Sequence, residues 1–277
     1  MQVLRIAAFA YNNQGGNPAG VVMGDRMPAA AEMLQTAKDV GYSETAFLTP
    51  QDDGWRIRYF APEMEVAFCG HATIAAGAVL GERYGENTYQ LYLNQGEITV
   101  RASRGEDGLF RATLRSPQTW SAVAPPEYVA QLLGHFNFSA ADLDPAYPVR
   151  FAFAGARHLI LALKEHETLS EMVYDFEPVK GLMQQEGLTT LDLIWVESDR
   201  TIHSRNPFPP GGVYEDPATG AAAAALAGYL RDIRWPGGRR IDIFQGWEMG
   251  SPSRLMVQFS DKKGEGVRVS GETRYIH

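Results

Sequence analysis

The sequence predicts an α+β protein of two pseudo-symmetric lobes, each a curved, mostly antiparallel β-sheet or barrel around one central α-helix. Three observations carry that expectation. Strand-like stretches, rich in β-branched and aromatic residues with partial period-two alternation, outnumber helical ones. Two helical segments are small and apolar nearly all round, and a helix without a polar face has to be enclosed. A short internal repeat puts those two helices at corresponding places in the two halves of the 277 residues.

In chain order, strands are expected at 3–9, 44–48, 55–60, 89–93, 98–102 and 110–114, then at 149–153, 158–163, 193–196, 241–244, 255–259 and 267–269. Gln51-Asp52-Asp53-Gly54, Gly105-Glu106-Asp107-Gly108 and Asp261-Lys262-Lys263-Gly264 are turn signals, the last two of hairpin length. Segments 28–40 and 125–133 begin with proline and read as amphipathic surface helices, with 176–185 as a third. The two enclosed helices are 71–84 (HATIAAGAVLGERY) and 218–230 (ATGAAAAALAGYL).

The repeat runs through those helices. Arg58-Tyr59-Phe60-Ala61-Pro62 and then Cys69-Gly70-His71-Ala72-Thr73 face Arg205, Phe208-Pro209 and then Asp216-Pro217-Ala218-Thr219-Gly220, which sets Thr73 against Thr219. Two lobes related by a pseudo-two-fold axis follow: 1–118, possibly completed by a C-terminal strand within 262–277, and 119–261, with 120–126 (WSAVAPP) as linker.

Charge and composition exclude several classes. A net charge of −8 and a pI near 5.3 argue against nucleic acid or an anionic membrane as the main partner. Cys69 is the one cysteine, so an intramolecular disulfide, a two-thiol mechanism within the chain and a cysteine-only metal site are all excluded. The six histidines are scattered, which reads as no metal site. No P-loop, HExxH or GxSxG occurs, and Gly15-Gly16 lacks the GxGxxG spacing, so it is not a dinucleotide fingerprint. The start, Met1-Gln2-Val3-Leu4-Arg5-Ile6, has no signal-peptide pattern and no long apolar run follows anywhere, so a soluble cytoplasmic protein is expected.

Four positions stand out chemically. Asp216-Pro217 reads as a helix N-cap with proline in the first turn, an ordinary start that explains the pair by itself. The small residues Ala218, Thr219, Gly220 and Ala221 would also leave the first-turn N–H groups open to an anion at the positive end of the helix dipole. His71, after Gly70 and before Ala72, opens the other enclosed helix; it is either a hydrogen-bonded structural histidine or a neutral proton carrier and donor. Glu44 enters a mostly apolar strand. It is either a solvated strand end or, facing a closed cleft, a carboxyl suited to accept and return a proton. Cys69 is either a small buried residue or a thiolate at a helix N-terminus. Asn12, Asn13, Gly15, Gly16, Asn17 and Pro18 form a loop that rims the same region.

These residues, in this order, resemble the PhzF-like family of phenazine-biosynthesis isomerases, which has the diaminopimelate epimerase fold. The markers are Gly16-Asn17-Pro18, Ser43-Glu44-Thr45-Ala46-Phe47, Arg58-Tyr59-Phe60-Ala61-Pro62, Cys69-Gly70-His71-Ala72-Thr73, Glu215-Asp216-Pro217-Ala218-Thr219-Gly220, Gln245-Gly246 and Pro252-Ser253. The resemblance implies a homodimer and a cofactor-free active site between the lobes, acting on a small carboxylate-bearing substrate like trans-2,3-dihydro-3-hydroxyanthranilate. It implies Glu44 as the residue that takes and returns a proton, with His71 and Asp216 positioning and relaying. Substrate contacts fall to Asn17, Gly70, Ala72, Thr219, Gly220 and Ala221. Relatives often carry serine where Ala221 stands, and arginine before Pro-Ser where Ser251 stands. A hydrolase or lyase on the same scaffold, or a metabolite-binding protein without catalysis, are the competing expectations.

Overall fold

The chain, seen in a computed structural model, is described over residues 2–105, 108 and 110–276. Glu106 and Asp107 of the second expected turn, and His277 of the expected C-terminal return, lie outside the described residues. Two compact units emerge: Met1–Arg115 with Val269–His277, and Ser116–Arg268. The expected borders fell at 118 and 262. Hydrogen bonds set the observed ones: Ser116 N–H donates to Val267 O at 2.8 Å, Thr119 N–H to Gly264 O at 3.1 Å, and Val267 N–H to Ser116 Oγ at 3.0 Å.

The first unit runs β1 (Leu4–Ala10), β2 (Asn17–Met23), α1 (Ala30–Val40), β3 (Glu44–Gln51), β4 (Gly54–Phe60), β5 (Glu65–Val66), α2 (Gly70–Tyr84), β6 (Asn87–Tyr92), β7 (Glu97–Arg104) and β8 (Phe110–Arg115). β1 and β2 pair antiparallel, β2 and β3 parallel, β3 and β4 antiparallel, β4 and β6 parallel, and β6, β7 and β8 antiparallel. The C-terminal strand, Arg268–Tyr275, pairs with β8 and runs antiparallel to β1, Ile6 opposite Tyr275. The pairing therefore closes on itself as a barrel.

Helix α2 fills that barrel, with every side chain from His71 to Gly81 buried. Its glycines permit the fit. A Cβ on Gly77 would lie 2.5 Å from Val100 Cγ2 and 3.1 Å from Ala112 Cβ. Helix α1 lies on the outer face, where Met33 and Ala37 cover Val22, Phe47 and Phe60. Sequence patterning missed β2 because it is buried almost throughout and so shows no alternation.

The second unit runs β9 (Trp120–Val123), α3 (Pro126–Gly134), β10 (Arg150–Phe153), β11 (Arg157–Ala162), α4 (His166–Ser170), α5 (Phe176–Gln185), β12 (Thr190–Val196), β13 (Thr201–Phe208), β14 (Val213–Asp216), α6 (Gly220–Asp232), β15 (Arg240–Gln245) and β16 (Ser253–Gln258); the C-terminal strand is β17. Its pairings repeat those of the first unit in order: β10–β11 antiparallel, β11–β12 parallel, β12–β13 and β13–β14 antiparallel, β13–β15 parallel, β15–β16 antiparallel. Helix α6 takes the place of α2 and is buried from Ala222 to Arg231. The opposite sheet face carries Leu159, Leu161, Leu191 and Leu193 under Leu132, Leu133, Val179 and Met183 of α3 and α5.

Two expectations are corrected here. The segment 120–126 is not a linker: it forms β9, which pairs with β10 and stacks Trp120 on Phe153 at 5.4 Å, and then enters α3. Asp261-Lys262-Lys263-Gly264 precedes the return of the chain to the first unit, where β17 meets β1. Among the described residues no helix is long and apolar enough to cross a membrane. The fold is α+β and of the diaminopimelate epimerase type.

Candidate active site

In the first unit, β3 begins at Glu44, level with Ala19 of the parallel β2, and α2 begins at Gly70. This brings Glu44 Oε2 to 3.4 Å from His71 Nε2, with both side chains largely shielded, 15% and 8% exposed. Ser43 Oγ stands 3.3 Å from the same nitrogen. Cys69 Sγ lies 3.3 Å from His71 Nδ1 and 3.9 Å from Nε2. Glu44, Cys69 and His71 offer three potential metal-ligand atoms within 4.8 Å of one another, although the scattered histidines of the sequence read as no metal cluster.

Cys69 is the N-cap of α2 in extended conformation and gives no side-chain cap, so the amides of Gly70, His71 and Ala72 have no acceptor within the helix. The backbone below is firmly held. Thr73 Oγ1 donates to Cys69 O at 2.6 Å and shares a 2.6 Å hydrogen bond with Tyr59 OH, whose phenol burial pushes far above its usual range. Asn17 opens β2 and is buried opposite Ala8. Asn12 and Asn13 form an exposed left-handed turn closed by the Tyr11–Gln14 pair of hydrogen bonds; they shape the hairpin.

In the second unit Asp216 is not the N-cap. It ends β14, and Thr219 caps α6, which starts at Gly220. Thr219 Oγ1 donates to Asp216 Oδ2 at 2.5 Å. Gln245 clamps this corner: its Oε1 accepts from Thr219 N at 3.1 Å and its Nε2 donates to Asp216 O at 2.7 Å. The next residue, Gly246, has a φ of 78°, and a Cβ there would lie 2.6 Å from Pro217 O. Ala221 follows Gly220 in an open first turn of small residues. Sequence reasoning gave Ser43 and Gln245 no role, although both sit in recognised motifs, Ser43-Glu44-Thr45 and Gln245-Gly246.

An identical brace supports each helix start. Arg58 grips Glu65 at 2.8 and 2.6 Å, a contact that holds the Glu65 carboxyl below its usual range; Arg205 grips Glu215 at 3.0 and 2.6 Å. Each arginine precedes by two residues the strand partner of its glutamate, Phe60 opposite Glu65 and Pro207 opposite Glu215. Counting forward from the glutamates, Cys69 corresponds to Thr219 and Gly70 to Gly220. The sequence repeat, which set Thr73 against Thr219, is therefore one helical turn out of register.

Behind β14 lies a buried polar chain. Asn206 pairs with Asp216 through the backbone, and its Nδ2 donates to Asp192 Oδ1 at 2.9 Å. Ser204 Oγ donates to the same oxygen at 2.5 Å. Thr190 Oγ1 donates to Asn206 Oδ1 at 2.7 Å, so the 2.8 Å contact between Thr190 and His158 Nδ1 requires the ring N–H to donate. That leaves His158 Nε2 buried without a partner among the described residues. Burial raises Asp192 to about 6 and lowers His158 to about 3.

Comparison with known proteins settles the family. The phenazine biosynthesis-like protein family, PhzC-PhzF, matches residues 6–277. The chain belongs to this family. A trans-2,3-dihydro-3-hydroxyanthranilate isomerase of Pseudomonas aeruginosa is 30% identical, over 96% of this chain and 91% of its own. An uncharacterised isomerase of Bacillus subtilis is 29% identical over 99% and 98%. A PhzF-family phenazine biosynthesis protein of Bacillus anthracis has the same fold, with a TM-score of 0.89 at 22% identity over 100% and 98% of the chains. By this kinship the PhzF-family chain is an isomerase.

Proposed function

We propose that this PhzF-family protein is a cofactor-independent isomerase that moves a proton between two carbons of a small carboxylate-bearing metabolite. The observation that carries the reading is the shielded Glu44–His71 pair, 3.4 Å apart at the open N-terminus of a buried helix. Glu44 takes a proton from a C–H bond of the substrate, and the electron pair left behind delocalises into the adjacent unsaturated system. Negative charge developing there is favoured by the unpaired first-turn amides and the helix dipole of α2. The same carboxyl then returns the proton to a second carbon, so mass and oxidation state are conserved. His71 holds Glu44 and relays protons among the substrate's polar groups. Asn17, buried at the start of β2, contributes a substrate-holding group.

The named activity of the P. aeruginosa relative makes a dihydrohydroxyanthranilate the first substrate to try. Product mass separates isomerisation, which conserves it, from hydrolysis or elimination, which change it by one water. In D2O, wild type should incorporate solvent deuterium into product, and Glu44→Gln should abolish both exchange and turnover while leaving the melting temperature within a few degrees. Unchanged deuterium incorporation in Glu44→Gln removes Glu44 from the mechanism.

A further inference from the structure

Two neighbouring residues meet at one atom in the first unit. Ser43 Oγ stands 3.3 Å and Glu44 Oε2 3.4 Å from His71 Nε2. Successive side chains of a strand point to opposite faces, so residues 43 and 44 of a regular strand would diverge. The chain before β3 makes the convergence possible. Helix α1 ends at Gly41 in the left-handed conformation, φ 72°, with its N–H on Ala37 O at 3.0 Å; Tyr42 and Ser43 then form a bend from which β3 starts at Glu44. Cys69 is placed differently. Its sulfur lies 3.3 Å from Nδ1 and 3.9 Å from Nε2. Distances so nearly equal put it over the ring, whereas a group in line with the Nδ1 lone pair would be much farther from Nε2. The imidazole is thus covered on its face by the thiol and held at its Nε2 edge by two oxygens.

We propose that Ser43 is a positioning residue for the proton shift, an inference that rests on the reading of Glu44 as its base and His71 as its relay. Donors and acceptors decide the role. An ionised carboxylate can only accept, so beside it Nε2 carries a hydrogen. A relay through His71 includes moments at which Nε2 has given that hydrogen up, and the bare nitrogen then needs a donor. Glu44 is engaged with the substrate at those moments. A hydroxyl serves both states: Ser43 Oγ accepts from Nε2–H and donates to bare Nε2. Ser43 therefore acts through His71. It keeps the ring edge in register with Glu44 while the proton travels, and small losses of such alignment cost rate. Its contribution falls on kcat rather than on substrate binding.

The test has a spectroscopic arm, which needs no substrate, and a kinetic arm. In full-length protein labelled with ¹⁵N at histidine, the His71 Nε2 resonance is identified by its loss in His71→Asn. It should move in Ser43→Ala and stay near its wild-type position in Ser43→Thr. Thr36→Ala, on the outer helix α1, should leave it untouched. With a substrate that wild type turns over, Ser43→Ala should lower kcat about 10-fold, the worth of one hydrogen bond, at nearly constant KM. Ser43→Thr, which keeps the hydroxyl, should restore kcat. A resonance that ignores Ser43→Ala overturns the proposal. So does a kcat unchanged in Ser43→Ala, or one that Ser43→Thr leaves equally low. If Ser43→Ala moves the resonance but Glu44→Gln leaves deuterium exchange intact, the Ser43–His71 contact stands, and the reading of Glu44 falls and takes the positioning role with it.

Discussion

The buried chain behind β14 makes a quantitative prediction about acid stability. Asp192 titrates near 6 in the folded protein, against an ordinary carboxyl value of 3.8. Between those two values the folded state holds a proton that the unfolded state has lost. Stability from this group therefore falls as pH rises from about 4 to about 6 and is level above. About two units of displacement amount to about 3 kcal/mol. His158 does the opposite. Its folded value near 3 lies below the ordinary 6.5, so the unfolded state binds the extra proton and stability falls as pH drops from 6.5 towards 3. From pH 4 to 6 the two slopes have opposite sign and similar size, and in wild type they nearly cancel.

Single substitutions should uncover each slope. Asp192→Asn keeps an acceptor for Ser204 and Asn206 and removes only the titration. Relative to wild type, it should lose about 3 kcal/mol more on going from pH 6 to pH 4. His158→Gln should gain by a similar amount over the same interval. The measurement is urea unfolding at pH 4, 5, 6 and 7 followed by tryptophan fluorescence. Four of the five tryptophans, Trp120, Trp195, Trp235 and Trp247, report on the second unit. Taking differences between proteins cancels the background titrations shared by all three. If the curves of Asp192→Asn and wild type run parallel across pH 4–6, Asp192 is already ionised in the folded protein and the reasoning fails.

Four further substitutions test packing and the braces. Gly77→Ala improves helix propensity by about 1 kcal/mol but drives a methyl into Val100, whose branched side chain has no room to turn; a net loss of about 1–2 kcal/mol by thermal melting is expected, whereas Gly181→Ala, with nothing within 4 Å, should gain about 0.5–1 kcal/mol. Glu215→Gln leaves the Arg205 guanidinium buried without its charge partner and should cost about 3–5 kcal/mol, while Glu65→Gln, at the more exposed copy of the same brace, should cost about 1 kcal/mol or less by the same urea titration.

How much was legible depended on which physical signal each residue carries. Helices α2 and α6 announced themselves because an apolar surface on all sides has one physical outcome, enclosure, and both are buried along most of their length. Strands β2 and β13 left no such mark. Each is shielded on both faces and carries glycine, proline or polar residues, Pro18 and Gly20 in one, Ser204, Arg205 and Asn206 in the other, whose partners lie far along the chain. Periodicity has no access to a hydrogen bond from Ser204 to Asp192. Ser43 and Gln245 escaped for the same reason, since their roles lie in distances to His71 and Thr219.

The repeat shows how identity of residue type can mislead where geometry does not. Setting Thr73 against Thr219 matched two threonines, and it also aligned Asp216 with Gly70. Strand register puts Glu65 level with Glu215 instead, each held by an arginine two residues before its partner, and so moves the comparison by one turn. Thr73 is then an internal residue whose hydroxyl folds back on the backbone, while Thr219 is a cap. Cys69 and Thr219 become the true counterparts. Both stand at the mouth of a buried helix, and each contacts a titratable side chain: the thiol His71, the hydroxyl Asp216. The asymmetry leaves the first unit with a thiol beside the Glu44–His71 pair and the second with a corner fixed by Gln245. Replacing Thr219 by cysteine is thus the substitution that would bring the second helix start nearest to the first.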